Sequence, residues 1–461
     1  MQRIKLIIIF VLIAVLAVPV FAERRKKEIK NAGALLSSAK IAMRGNPPRL
    51  EEAMGYLNEV LENEGPLPEA YFYKGSIYGE YVSREYDLAR KNDLIDSMMT
   101  SYDSVYISCD DKETDKKLKK NCKEYHDILD SVKSALWIEN FNSAITVLGH
   151  LDKEYLPTYR NATDSVIEAE AKKIVDAAVD SSLLYFKAAM MVDPSEYRAF
   201  EGTGIVYDRL KMLDSSAAWF IKAHNIVPDS LNIIQNIAYA FIMQNDWDNA
   251  ILWFRKLLEK VPDDVGTMTN VAICFNNKQL YDSAFAYNMM VVKADSTDAD
   301  AFIDIGQYYL LKSQRISDSV KEYQTNGDQK SAEKFIVERD RLFDSCATYF
   351  KKGVELNPEN ITGLENYGII SMITGDYNAS EMVFTKLTEL EPNRKEHWID
   401  LGDTYVQLQK FDEAIAPFEK ASELDPSDVR LWEILADLYE SSGQTQKAKA
   451  AKSKAEELKN M

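Results

Sequence analysis

The sequence has little of what protein chemistry most often needs. Four histidines, His126, His150, His224 and His397, are scattered singly among 461 residues. With no His-x-x-x-His pair and no Cys-x-x-Cys, a zinc site lacks its usual ligands, and neither a metal nor another cofactor is expected. Glycine and proline are scarce too, at 18 and 13 residues, and most recur at regular intervals instead of gathering in linkers. Gly202-Thr203-Gly204 is an isolated fragment rather than a phosphate loop. Asp295-Ser296-Thr297-Asp298-Ala299-Asp300 lacks the sixth-place Gly and the distal Glu of a calcium loop. Carboxylates are many, but no pair is set apart as acid and base, so no catalytic residue is assigned and the chain is not expected to be an enzyme.

Basic charge is also in deficit. Lys plus Arg number 55 against 73 Asp plus Glu, a net charge of −18. Such a surface repels a phosphate backbone, and the basic stretches are limited to residues 24–30 and Lys116 to Lys123. No nucleic-acid partner is therefore expected. Long apolar runs are absent apart from Leu6 to Phe21, which follows Arg3 and Lys5 and ends on Val20-Phe21-Ala22, the pattern of a signal peptide over residues 1–22. A mature chain starting at Glu23 carries 53 − 73 = −20, and the expected location is exported and periplasmic. The alternative is an uncleaved inner-membrane anchor. Arg24-Arg25-Lys26-Lys27 behind the run retards export, although the run is short of the roughly 20 residues that span a bilayer. Of the four cysteines, Cys274 and Cys346 read as free and buried. Cys109 and Cys122 either do the same or close a loop, which in an oxidising compartment contributes about 3 kcal/mol.

What the sequence does have is Ala, Leu, Lys, Glu, Asp and Tyr, a helical composition, and a repeat. Pro194, Pro228 and Pro262 are 34 residues apart, as are Pro358, Pro392 and Pro426. One frame spans them if a single insertion of 28 residues lies between Ser296 and Pro358. Small residues recur within it: Gly204, Ala238, Ala272, Gly306, Gly368, Gly402 and Ala436 in one column, and Ser216, Ala250, Ala284, Cys346, Ser380, Ala414 and Ala448 in another. Aromatics fill two further columns, Tyr207, Phe241, Phe275, Tyr309, Tyr405 and Tyr439 in the first and Phe220, Phe254, Phe350, Phe384 and Phe418 in the second. Small against large is what two helices need to pack closely.

These columns, with Trp398 and Trp432 near the start of their units, resemble the tetratricopeptide-repeat (TPR) consensus. Seven units follow, 197–230, 231–264, 265–298, 299–360, 361–394, 395–428 and 429–461, with departures at Ser371, Asn288 and Ser296. The resemblance implies an all-α solenoid of antiparallel helix pairs, a right-handed superhelix, closed by a polar capping helix over Thr445 to Asn460. The 28 extra residues, near 312–339, are polar with a turn signal at Asn326-Gly327-Asp328. Shared equally, they lengthen each helix by about 21 Å, giving either a docking or dimerisation arm or a tolerated surface insertion. Upstream, residues 23–83 read as degenerate TPR-like helices, with Ala53, Leu57, Tyr71, Gly75 and Tyr78 at matching columns, and 84–196 as long, irregular helices. Asp-Ser pairs at 96, 180, 214, 282 and 344 are expected to cap helix starts.

For function, the resemblance implies a concave groove that grips an extended or helical segment of a protein or peptide partner. By TPR numbering the sixth position of each first helix faces that groove, and here it holds Gly202, Asn236, Asn270, Asp304, Asn366 and Asp400. A carboxamide offers one donor and one acceptor to a peptide backbone. Arg198, Glu201, Ile205, Tyr239, Ile273, Ile369 and Met372 are its expected neighbours. The plainer alternative is that the Asn side chains only bridge adjacent helices. Further alternatives are a membrane-anchored assembly factor, or a small-ligand or catalytic domain within residues 84–190.

Overall fold

A computed structural model describes residues 29–112 and 119–460, which are helical throughout and contain no strand; the leader lies outside them. The chain divides into two units at Asp246/Trp247, inside the second repeat.

In the first unit, α1 (Ile29–Arg44), α2 (Leu50–Glu64), α3 (Pro68–Arg84) and α4 (Leu88–Asp110) are followed by α5 (Lys119–His150). A π-turn at Leu151–Tyr155 leads from α5 into the short α6 (Leu156–Arg160). Pro157 has no N–H and its ring crowds the carbonyl four residues back, so the helix widens ahead of it and Leu156 N–H reaches Leu151 O instead. Next come α7 (Ser165–Val192), α8 (Arg198–Arg209), α9 (Leu213–Ile226) and α10 (Leu231–Met243). Phe72, Ile77, Ile95, Met98, Leu129 and Phe186 form a core that excludes water. Gly75 admits the Tyr102 ring, and Gly202 the Phe186 ring. Cys109 and Cys122 form a disulfide joining the end of α4 to the start of α5.

The second unit holds α11 (Trp247–Lys260), α12 (Val265–Asn277), α13 (Tyr281–Ala294), α14 (Ala299–Thr325), α15 (Gln329–Leu356), α16 (Ile361–Thr374), α17 (Tyr377–Leu390), α18 (Lys395–Gln407), α19 (Phe411–Leu424), α20 (Val429–Ser441) and α21 (Thr445–Lys459). From α12 onward they alternate as first and second helices of hairpins, and each packs on the next in sequence.

The repeat columns explain that packing. Gly204, Gly306, Gly368 and Gly402 each face the ring of the phenylalanine in their own hairpin, Phe220, Phe350, Phe384 and Phe418, so closely that a Cβ would stand 2.6–2.8 Å from ring carbons. These rings are buried, as is every member of the second small-residue column. Burying one such ring contributes about 1.5–3 kcal/mol. Between the two helices, the fifteenth position of each of the six uninterrupted repeats takes a left-handed backbone, at Lys211, Asn245, Gln279, Gly375, Gln409 and Gly443. Trp398 and Trp432 donate their indole N–H to the carbonyls of Pro392 and Pro426, at 2.9 and 3.0 Å, tying each hairpin to the turn before it.

In the inserted unit, α14 has 27 residues against 13 in α12, and α15 has 28 against 14 in α13, so each helix gains 14. Its left-handed turn falls at Gly327, which is position 15 displaced by 14. The arm packs on itself through Val320, Ala332 and the stacked rings of Tyr323 and Phe335. Val337 is the large apolar side chain it leaves exposed, which gives little support to a hydrophobic dimerisation arm.

The Asp-Ser pairs do not cap. Those at 96, 180 and 344 lie inside α4, α7 and α15, where Ser97, Ser181 and Ser345 donate to carbonyls one turn back. Asp214 and Asp282 sit in the first turns of α9 and α13, where a negative charge still favours the helix dipole. The caps come from the residue preceding the helix: Asp264, Asp298, Asn360 and Asp428 before first helices, and Asp328 and Asp376 before second helices, each accept a backbone N–H.

Gly402→Val forces three extra carbons against the Phe418 ring, so urea unfolding should show a loss of about 1–3 kcal/mol. An unchanged midpoint would mean the ring has room to move.

Candidate binding face

Within each first helix, residues at positions 6, 9 and 13 are three or four apart and share one stripe. In the second unit that stripe is Asn270, Ile273 and Asn277 on α12, Asp304 and Gln307 on α14, Asn366, Ile369 and Ile373 on α16, and Asp400, Asp403 and Gln407 on α18. Ile273, Ile369 and Ile373 are 42%, 46% and 53% exposed. Side chains link neighbouring first helices, Asn276 to Asp304, Asn360 to Asp300 and His397 to Glu365.

The sixth-position residues divide into different roles. Asp304 accepts from the side-chain amides of Asn276 and Asn288, both at 3.2 Å. Asn288 is buried at a column that holds Phe220, Phe254, Phe350, Phe384 and Phe418 in other repeats, so this departure from the repeat replaces a ring with a polar bridge. Asp304 is therefore committed to its neighbours, and burial raises its pKa. Asn366 donates to Thr362 O of its own helix at 2.9 Å. Asn270 is half-buried beside Ile273. In the first unit Asn236 reaches Glu201 at 3.4 Å, a bridge between α10 and α8. Tyr239 is exposed one turn along. Gly202 is buried under the Phe186 ring and lines nothing. Arg198 pairs with Glu196 and lies over the rings of Trp137 and Phe141 on α5, which makes it part of the packing between α8 and α5.

Around Asp400 a polar cluster assembles. His397, 1% exposed, has Nε2 3.0 Å from Glu365 Oε1. Arg394 places one nitrogen 2.6 Å from Glu365 Oε1 and 3.1 Å from Glu391 Oε2. Asp403 stands one turn beyond Asp400 on α18, with its own pKa raised by burial. No spacing rule links positions 365, 391, 394 and 397; the fold gathers them from α16, the turn after α17 and the start of α18.

Residues 84–190 hold long helices and an open pocket of about 410 Å³ between α5 and α7, lined by Val147, His150, Tyr155, Lys173, Ile174 and Ser181. His150 stands 3.4 Å from Glu154, and Ser181 donates to Ala177 O. The two are not arranged as base and nucleophile.

Burial, reinforced by the neighbouring Asp403, pushes the pKa of Asp400 up to about 6 from an ordinary 3.8. The folded chain thus holds this proton more tightly than the unfolded chain. That gain is complete below about pH 4 and is lost as pH rises through 6. At pH 7.5 the half-desolvated carboxylate costs roughly 1 kcal/mol after allowance for solvent screening. Asp400→Asn should therefore raise the urea midpoint at pH 7.5 and show no such gain at pH 4; an equal gain at both would refute the assignment.

No curated protein matches the sequence. Among solved structures, similar hairpin arrays occur in the MamA protein, at 18% identity over 43% of this chain and 94% of that one with a TM-score of 0.32. They occur also in YrrB, described as a TPR protein with an unusual peptide-binding site, at 15% identity over 46% and 97% with a TM-score of 0.30. A tetratricopeptide-repeat protein of Parabacteroides merdae shows 15% identity over 57% and 93% with a TM-score of 0.34. Residues 402–443 match the TPR repeat family. That stretch lies within the same 34-residue frame whose small residues recur from Gly204 to Ala448, so the part of the chain from Gly402 to Gly443 is a match to the TPR repeat.

Proposed function

We propose that this protein is a non-catalytic scaffold that holds an extended or helical segment of a protein partner against the first-helix stripe. The observation that carries this is the exposure of Ile273 and Ile369 at the same repeat position, with Ile373 one turn further along the same stripe, beside the amides of Asn270 and Asn366. Aliphatic side chains left in water along one stripe offer apolar area to a partner, while neighbouring carboxamides match the donors and acceptors of its backbone. The half-buried Asp400 and Asp403 add a demand for positive charge on that partner.

Export to an oxidising envelope compartment is part of the same proposal. Its supports are the signal-peptide pattern of residues 1–22 and the disulfide between Cys109 and Cys122, a bond that persists where thiols are not kept reduced.

Crosslinking the protein in its host and identifying captured peptides by mass spectrometry tests the binding face. Ile273→Asp with Ile369→Asp should reduce capture at least tenfold while helicity and melting stay unchanged, as removal of central apolar anchors does. Capture that survives both changes would place the partner elsewhere. The intact mass of the host-purified protein should correspond to a chain starting at Glu23; a mass retaining the first 22 residues would favour the anchored form instead.

A further inference from the structure

The face carries one cluster that peptide binding leaves unexplained. Its centre is His397, whose side chain is buried and whose Nδ1 has no hydrogen-bond partner. The nearest acid to Nδ1 is Glu391 Oε2, at 3.8 Å, while Nε2 is satisfied by Glu365 at 3.0 Å. A buried ring nitrogen without a partner costs stability unless something occupies its lone pair or proton.

A second departure lies beside it. The residue before the first helix is Ser, Asp or Asn at 230, 264, 298, 360 and 428, but Arg at 394. Arg394 makes no cap, and its positive charge sits at the helix end that disfavours it. What the guanidinium does instead is bridge Glu365 and Glu391, standing where a cation shared by two carboxylates would stand. One donor atom from each of Glu365, Glu391 and His397 lies within 4.8 Å of the others. Three ligands of a common ion bound at about 2.0–2.2 Å are spaced about 3–4 Å apart, so small side-chain rotations suffice.

We propose that Glu365, Glu391 and His397 form a divalent transition-metal site, of the kind that takes Zn²⁺, with Arg394 as the built-in cation that metal displaces. One imidazole with two carboxylates suits such an ion better than Ca²⁺ or Mg²⁺, which prefer oxygen alone. Arg394 is half-exposed at its side chain and free to swing into water when the ion enters. Because Glu365 is on α16 and His397 on α18, the bound metal fastens two successive repeats at the edge of the binding stripe.

Titrating the full exported protein with Zn²⁺ alone, by calorimetry, should show one ion per chain. Glu391→Gln and His397→Gln should each weaken binding at least tenfold, and Mg²⁺ should not compete. Arg394→Gln keeps all three ligands and removes the competitor, so it should bind at least tenfold more tightly; circular dichroism and melting confirm that each variant is folded. No stoichiometric binding in either the wild type or Arg394→Gln, or binding indifferent to both ligand substitutions, would overturn the site and leave only an ion-pair cluster.

Discussion

The contact between a phenylalanine ring and a helix that has no side chain in its way sets the geometry on which everything else depends. Where Gly368 or Gly402 meets Phe384 or Phe418, no methyl group would fit without a shift. That contact fixes the distance and rotation of the two helices in a hairpin, and with rotation fixed, positions 6, 9 and 13 cannot turn inward. The exposure of Ile273 and Ile369 is thus a by-product of core packing one turn away, and it repeats because the packing repeats. At the last two repeats an indole N–H to the preceding proline carbonyl adds a fastening between neighbours.

This periodic part was open to inspection in the sequence because each column is set by a single local requirement. A ring needs a hole, a tight turn needs a residue tolerant of left-handed backbone, and both recur every 34 residues. Even the insertion obeyed the frame. What failed was inference from a recurring pair without its position in the helix: Asp-Ser at 96, 180 and 344 looks like a cap but lies in mid-helix. The candidate site was legible only as a stripe. That Arg198 would stack on Trp137, or that Asp304 would be held by Asn276 and Asn288, depends on partners 61, 28 and 16 residues away, for which the sequence carries no periodic signal.

The two acidic members of the stripe illustrate how the same residue type diverges. Asp304 replaces the interactions it loses on burial with two amide donors. Asp400 has a second carboxylate, Asp403, close by on its own helix and remains poorly compensated. A group kept in a setting that disfavours its charge is a frequent mark of binding surfaces, and here it adjoins the cluster of His397, Glu365, Glu391 and Arg394. Asp400 and this cluster thus lie together where repeats 361–394 and 395–428 meet.

The equal lengthening of α14 and α15 has a consequence for what the surrounding chain experiences. Fourteen residues is close to four full helical turns, so side chains return almost to their starting azimuth before the helix rejoins the stack. Repeats on either side meet an ordinary hairpin base and receive no strain from the segment beyond it. Its outer length and surface can consequently drift under mutation, decoupled from the repeats that bear it, provided both helices of the spur change together by a near-integral number of turns.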